Sequence, residues 1–261
     1  MLQAIIVIIV IAAIVFLVTA GRSKRRKQAE ANQFPADAPH LLDMHVHFYK
    51  QLDAAQRTIF ENRLRDFLSH TKVTGVGVTV TDLDRLLVAA SAIIPIAAFP
   101  TWQYQNINEV LLYPDTFNKE YATEGTDRNV LGMVGNGAMN GQMILSQPAL
   151  RDGFKREEGH NTGIHEFVHL LDKADGSVDG IPEYLLAQPY ILPWVTQMHK
   201  EIHQMREHHT DIDAYGATND AEFFAVVAEY FFERPEALKE HHPALFALLI
   251  KMFQPTEQAS Q

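Results

Sequence analysis

The chain has 261 residues, 47% of them hydrophobic, which is enough for one good-sized domain with a real core or two small ones. It contains no cysteine, so disulfides and thiolate metal sites are excluded and any metal must be held by His, Asp, Glu or Tyr. The formal net charge is −10, and because Arg22, Lys24, Arg25, Arg26 and Lys27 sit together, the remainder is more acidic still, which argues against nucleic-acid binding.

Leu2 to Ala20 is a stretch of 19 residues without a charged side chain. As a helix it would span about 28 Å, close to the ~30 Å hydrocarbon core of a bilayer. No Lys or Arg precedes the run, and it exceeds the usual length of a signal-peptide core, so it reads as a transmembrane anchor. The basic cluster that follows places the rest of the chain in the cytoplasm by the positive-inside rule, with those side chains near anionic head groups. Residues 22–39 form a polar linker, and the folded body is expected over 40–261.

A helix is expected from Ala54 to Leu68, capped by Asp53, with Phe60, Leu64, Phe67 and Leu68 on its inner face. Val76 to Val80 is β-branched and strand-like. Thr81-Asp82 opens an apolar helix to about Ile94, and the apolar run from Leu86 to Phe99 is too short to span a membrane, so it belongs to the core. Val110 to Tyr113 and Gln142 to Ser146 read as strands, and glycine-rich Gly132 to Gly141 as a turn between strands. From Asn161 onward the pattern is mainly helical. Mixed helices and strands followed by helices make the expected class α+β.

The segment Gly163-Ile164-His165-Glu166-Phe167-Val168-His169-Leu170-Leu171-Asp172 carries the chemistry. It holds His-Glu-x-x-His in a run that reads as helix. His165 and His169 are four apart and so share one face, about one turn from each other. Two imidazoles held that way fit two corners of a tetrahedral Zn²⁺ site. Glu166 lies beside them, where a carboxylate can take a proton from water activated by the metal. The apolar neighbours bury this helix on more than one side, and polar groups buried there need partners. A zinc metallopeptidase is the expectation. Asn161 is placed to cap the helix, and Asp172 to accept from a ligand histidine.

A catalytic zinc needs a third protein ligand and an open position. The best stretch for it runs from Asp213 to Phe232, a helix capped by Thr218, Asn219 or Asp220. Glu222 and Glu229 are seven residues apart and share a face among apolar neighbours. The residue chemistry alone does not choose between them.

Ile212-Asp213-Ala214-Tyr215, Ala221-Glu222-Phe223-Phe224-Ala225-Val226 and Glu229-Tyr230-Phe231-Phe232, taken with Asn161-x-x-x-His165-Glu166-x-x-His169-x-Leu171-Asp172, resemble the Mlc titration factor A (MtfA) family of zinc-dependent peptidases. The likeness extends over about His40 to Phe253, and the amino-terminal apolar segment departs from the soluble members of that family. The resemblance implies a minimal zincin-type domain. It assigns the third zinc ligand to Glu222 and gives the hydroxyl of Tyr215, seven residues earlier, to the oxyanion of the tetrahedral intermediate. It implies aminopeptidase-like action on short peptides or on a dedicated protein target. It also implies a second reading, a membrane-anchored regulatory module that binds a transcriptional repressor, and it would locate the protein at a bacterial inner membrane.

Three further patterns carry less. His45-x-His47 has the spacing of a metal-binding strand in barrel amidohydrolases, but such a barrel needs repeated strand–helix units that this chain lacks. His199 and His203 sit among charged residues and read as an outer helix face. Asp175 to Gly180 mimics the start of a calcium loop, yet the twelfth position from Asp175 is Leu186 rather than Glu.

Overall fold

A computed structural model describes residues 34–105, 107–116, 131–134, 141–155, 160–207 and 210–254. The anchor expected at Leu2 to Ala20 lies outside these residues. Among the described residues, no helix is long and apolar enough to cross a membrane.

The described residues open with two short helices, α1 (Ala38–His45) and α2 (His47–Gln51), with Leu42, Tyr49 and, between the helices, Val46 buried. The His45-x-His47 pair therefore lies half-buried where these two helices meet, not on a strand. Helix α3 (Ala54–His70) starts at a full capping box: Asp53 accepts from the Gln56 N–H while the Gln56 side chain accepts from the Asp53 N–H. Its predicted inner residues Phe60, Leu64, Phe67 and Leu68 are all buried. Helix α4 (Asp82–Ile93) repeats the device with Thr81 and Asp84.

Among the described residues the sheet has four strands, β1 (Lys72–Gly75), β2 (Glu109–Tyr113), β3 (Gly132–Val134) and β4 (Gln142–Ser146), in the order β1-β2-β4-β3. β1, β2 and β4 are parallel, and β3 runs antiparallel at the edge beside β4. Small sheet and many helices make the α+β class plain. Two expectations are corrected here. Strand β1 lies at Lys72–Gly75 and not at Val76–Val80, because Gly77 has φ of 74° and the chain turns there, leaving Val76 exposed. Gly132 to Val134, expected to be part of a turn, pairs with Met143 to Leu145 as an edge strand.

Helix α5 (Gln147–Asp152) leads to α6 (Thr162–Asp172), the helix with the His-Glu-x-x-His segment. Its apolar side (Ile164, Phe167, Val168, Leu171) is buried, with Phe167 edge-on to Phe67 and Tyr104 at ring distances of 5.7 and 5.2 Å. The rest of the described residues are mainly helical: α7 (Gln188–Glu207), α8 (Asp220–Glu233), α9 (Pro235–His241) and α10 (Pro243–Phe253). Aromatic rings lock these together. Trp194 of α7 meets Phe223 and Phe224 of α8, and Phe224 stacks on Phe253 of α10. Helix α6 is thus held between α4, β3 and α8.

The approach of α6 to α4 depends on Gly163. A Cβ there would stand 2.2 Å from Ser91 Oγ and 2.9 Å from Ser91 Cβ, both buried. The segment before the short 3₁₀ turn Ala214–Ala217 is held differently. Asp211 accepts from Tyr230, from His241 at 2.5 Å and from His242 Nε2 at 2.8 Å, while His242 Nδ1 is 3.1 Å from the buried Glu201. Burial alone would raise the Asp211 carboxyl, but hydrogen bonds from His241, Tyr230 and His242 outweigh it and hold it well below the usual carboxylate range. The bond to Glu201 outweighs burial of the His242 imidazole, and with Asp211 on its other nitrogen its pKa is raised above the ordinary 6.5.

Two outcomes follow for stability. In an open helix, Gly→Ala stabilises by about 1 kcal/mol; at Gly163 the overpacking reverses the sign, and Gly163→Ala lowers stability by about 1–3 kcal/mol in urea unfolding. The His242 contribution is fully present below about pH 6.5 and is lost as pH rises through its raised folded value, whereas that of Asp211 is present above about pH 4 and lost on acidification. Thermal melting should therefore show wild type losing stability, relative to His242→Gln, as pH is taken upward from 6.5; parallel curves for the two proteins contradict the linkage.

Candidate metal centre

Helix α6 begins at Asn161, whose side-chain oxygen accepts from the Ile164 N–H at 3.0 Å, as a helix cap should. One turn in, His165 and His169 project to the same side, their rings 4.7 Å apart and nearly perpendicular. Helix α8 crosses this face. Its cap, Asn219, accepts from the Glu222 N–H and fixes the first turn, from which Glu222 reaches the two imidazoles.

The three donor atoms form a tight triangle. His165 Nε2 stands 3.0 Å from Glu222 Oε2, His169 Nε2 is 3.3 Å from the same oxygen, and the two Nε2 atoms are 3.1 Å apart. A metal with tetrahedral ligands at about 2.0–2.1 Å requires donors about 3.3 Å from one another. The three groups thus fit one metal ion, and they are the cluster with metal-ligating spacing among the described residues. Electrostatics agree. Burial pulls the His165 imidazole down, but Glu222 at one nitrogen and Glu229 at the other outweigh it and push it up to about 10. Burial would raise Glu222, but the two histidines hold it well below the usual carboxylate range. The site as built favours positive charge at the triangle.

Glu166 is buried beside the triangle, and burial raises its carboxyl above the ordinary value while His165 and His169 act in the opposite direction. It lies under β3. A Cβ on Gly132 would come within 2.6 Å of Glu166 Cγ and 2.7 Å of its Oε1, so only glycine admits the carboxylate at this place. Tyr215 stands on the 3₁₀ turn, which Asp213 caps by accepting from the Tyr215 N–H at 2.7 Å. Its ring is 6.1 Å from that of His165, it is half exposed, and partial burial followed by the charges of Glu222 and Glu166 raises its hydroxyl pKa.

Two cavities open from the site. One of about 410 Å³ has Leu131, Val226, His160, Asp213 and Glu229 in its walls; the other, about 780 Å³, has Met133, Lys173, Val178, Asp179 and Asp220. Gly132, His165, Glu166 and Tyr215 border both, so the donor triangle and its acid sit at the middle of a cleft.

The structure brings His165, Glu166, His169, Tyr215 and Glu222 together, with Asn161 at the cap of α6. Asp172 stands elsewhere. Its Oδ2 accepts from the Gly180 N–H at 2.9 Å, its Oδ1 is buried, and no hydrogen bond joins it to either histidine among the described residues. The acceptor behind His165 is Glu229, 2.5 Å from Nδ1. The sequence offered its seven-residue spacing from Glu222 as the only clue. Of the patterns given less weight, His199 pairs with Asp220 and His203 with Glu207 on the outer face of α7, and Leu186 is a core residue rather than a ligand.

A metal-ready triangle with a buried acid in the middle of an open cleft is the arrangement of a metallopeptidase, and the chain belongs to such a family. The model of the glucose-regulated metallo-peptidase M90 family matches residues 21–254. The chain is 32% identical to an uncharacterized protein of Synechocystis sp. over 88% of this chain and 87% of that protein. It is 31% identical to Mlc titration factor A of Serratia proteamaculans over 65% of this chain and 68% of the relative, and 29% identical to that of Edwardsiella ictaluri over 67% and 70%.

Gly132→Ala should displace the Glu166 carboxylate without touching the donor triangle. Peptide hydrolysis is then expected to fall on the order of 10²-fold with metal content unchanged; undiminished hydrolysis would mean that the contact with β3 does not set the position of this acid.

Proposed function

We propose that the protein is a zinc-dependent peptidase of the zincin type, with His165, His169 and Glu222 holding the metal. The observation that carries this reading is the donor triangle, with separations of 3.0, 3.1 and 3.3 Å on two crossing helices. Two imidazoles and one carboxylate, in a chain without cysteine, make a donor set suited to zinc. A Zn²⁺ ion there supplies a Lewis acid that polarises the scissile carbonyl and makes water acidic enough to lose a proton near neutral pH.

The remaining steps belong to side chains. Glu166 takes the proton from the attacking water and passes it to the leaving amine, a role supported by its burial at the middle of the cleft. Tyr215 donates its hydroxyl to the oxyanion as the carbonyl becomes tetrahedral, supported by its position over the cleft beside His165. Strand β3 pairs with β4 on one side only among the described residues, so its other edge offers backbone groups to an extended peptide. Family likeness supports aminopeptidase-like cleavage. The charge-free stretch from Leu2 to Ala20 and the basic cluster after it support a single membrane anchor with the peptidase on the cytoplasmic side.

A second reading draws on the name carried by the relatives, Mlc titration factor A: the chain holds a repressor-like protein partner, with hydrolysis secondary. Glu166→Gln protein recovered from membranes with a stoichiometric partner would favour it.

The peptidase reading is tested with the zinc-loaded chain on aminoacyl-anilides and internally quenched peptides. Glu166→Gln is expected to abolish hydrolysis with zinc retained. Glu222→Ala should lose the metal, and Tyr215→Phe should keep it while turnover drops on the order of 10²–10³-fold. A Glu166→Gln protein as active as wild type would refute the assignment.

A further inference from the structure

The Glu229 carboxylate is committed on both oxygens. Oε1 lies 2.5 Å from His165 Nδ1, the nitrogen that faces away from Glu222, and Oε2 accepts from the backbone N–H of Asn161 at 2.7 Å. The second contact falls on the residue that caps α6. Asn161 in turn donates its side-chain N–H₂ to the Gly153 carbonyl and to Glu233, one turn beyond Glu229 on α8, at 3.0 Å each. Both residues are buried: Asn161 is 0% exposed and Glu229 is 6%. One carboxylate therefore touches both the ring of a donor histidine and the cap residue of the helix that carries it.

We infer that Glu229 is the positioning residue of the metal centre, fixing through His165 both the tautomer of a metal ligand and the start of the helix on which both ligand histidines stand. A neutral imidazole has one N–H and one lone pair. A carboxylate can only accept, so Glu229 keeps a hydrogen on Nδ1, and once a metal ion takes the place of the proton at Nε2 the lone pair there points into the donor triangle, which is the form a metal ligand requires. The same contact stops the ring from turning about its Cβ–Cγ bond. The inference rests on the zinc reading above, and it assigns Glu229 no contact with substrate or with the metal.

Glutamine at this position keeps size and shape but has one acceptor oxygen in place of two. It can satisfy His165 or the Asn161 N–H, not both, and its N–H₂ placed at Nδ1 would drive the hydrogen to Nε2 and block the lone pair. The test uses the full chain and Zn²⁺ itself. Zinc affinity is measured by chelator competition for wild type and Glu229→Gln, with Co²⁺ absorption as a report on ligand symmetry. Glu229→Gln should bind zinc about 10–100-fold more weakly, with an altered Co²⁺ spectrum and an unchanged fold by circular dichroism. A carboxylate one bond shorter, in Glu229→Asp, should recover part of the affinity, which a merely space-filling role would not predict. Independently of any variant, ¹⁵N chemical shifts of the His165 ring in the zinc-loaded wild type should report hydrogen on Nδ1.

Wild-type binding beside equal binding by Glu229→Gln overturns this inference and leaves the zinc reading intact. Hydrogen on Nε2 of His165 in the wild type overturns it as well. A wild type that takes up no zinc removes the metal reading and this inference with it. If Glu229→Gln fails to fold, the ring tautomer of the wild type decides alone.

Discussion

The crossing of α6 and α8 is the contact on which the site depends. Each helix is local in sequence, and neither makes a metal centre alone. α6 supplies two imidazoles and an acid from one turn. α8 supplies two carboxylates, Glu222 and Glu229, about 10 Å apart along its axis by helical rise. The His165 ring fits between them, one nitrogen toward each. Sliding either helix by a turn would break both contacts together, so the register of this one crossing sets the chemistry.

Everything around it resists such sliding. From one side α4 closes on Gly163 of α6 without room for a methyl group. From above, β3 lies against Glu166, again through a glycine. Behind α8 a wall of aromatic rings from α7 and α10 fills the core, and aromatic packing of this kind has few alternative arrangements. The 3₁₀ turn with Tyr215 follows a segment pinned at Asp211 by groups from α8, α9 and the residue after α9. The parts that do chemistry are thereby carried by elements whose own positions are settled elsewhere in the fold.

How much of this could be read in the chain depended on the range of the signal. His-Glu-x-x-His is a property of one helical turn and was legible as such. The cap at Asp53, the helix start at Thr81-Asp82, the inner face of α3 and strand β4 are also local, and their expected places agree with the structure. Glu222 and Glu229 were visible as a pair, but their separate tasks come from the angle at which α8 meets α6, which no periodicity encodes. Asp172 looked equally well placed because it ends the same helix; its carboxylate turns instead toward the backbone of Gly180. β1 was misplaced because its pairing residues, Lys72 to Gly75, have less strand character than the valine-rich turn after them. β3 was hidden for the opposite reason, since the glycine that makes it look like a turn is the one that lets it approach Glu166.

X-ray absorption at the zinc edge on the stoichiometrically loaded chain tests the central claim most directly. The account predicts two imidazole nitrogens and one carboxylate oxygen at about 2.0–2.2 Å, with the carboxylate contribution lost in Glu222→Ala. A zinc shell with fewer than two imidazoles, or one that Glu222→Ala leaves unchanged, would contradict it.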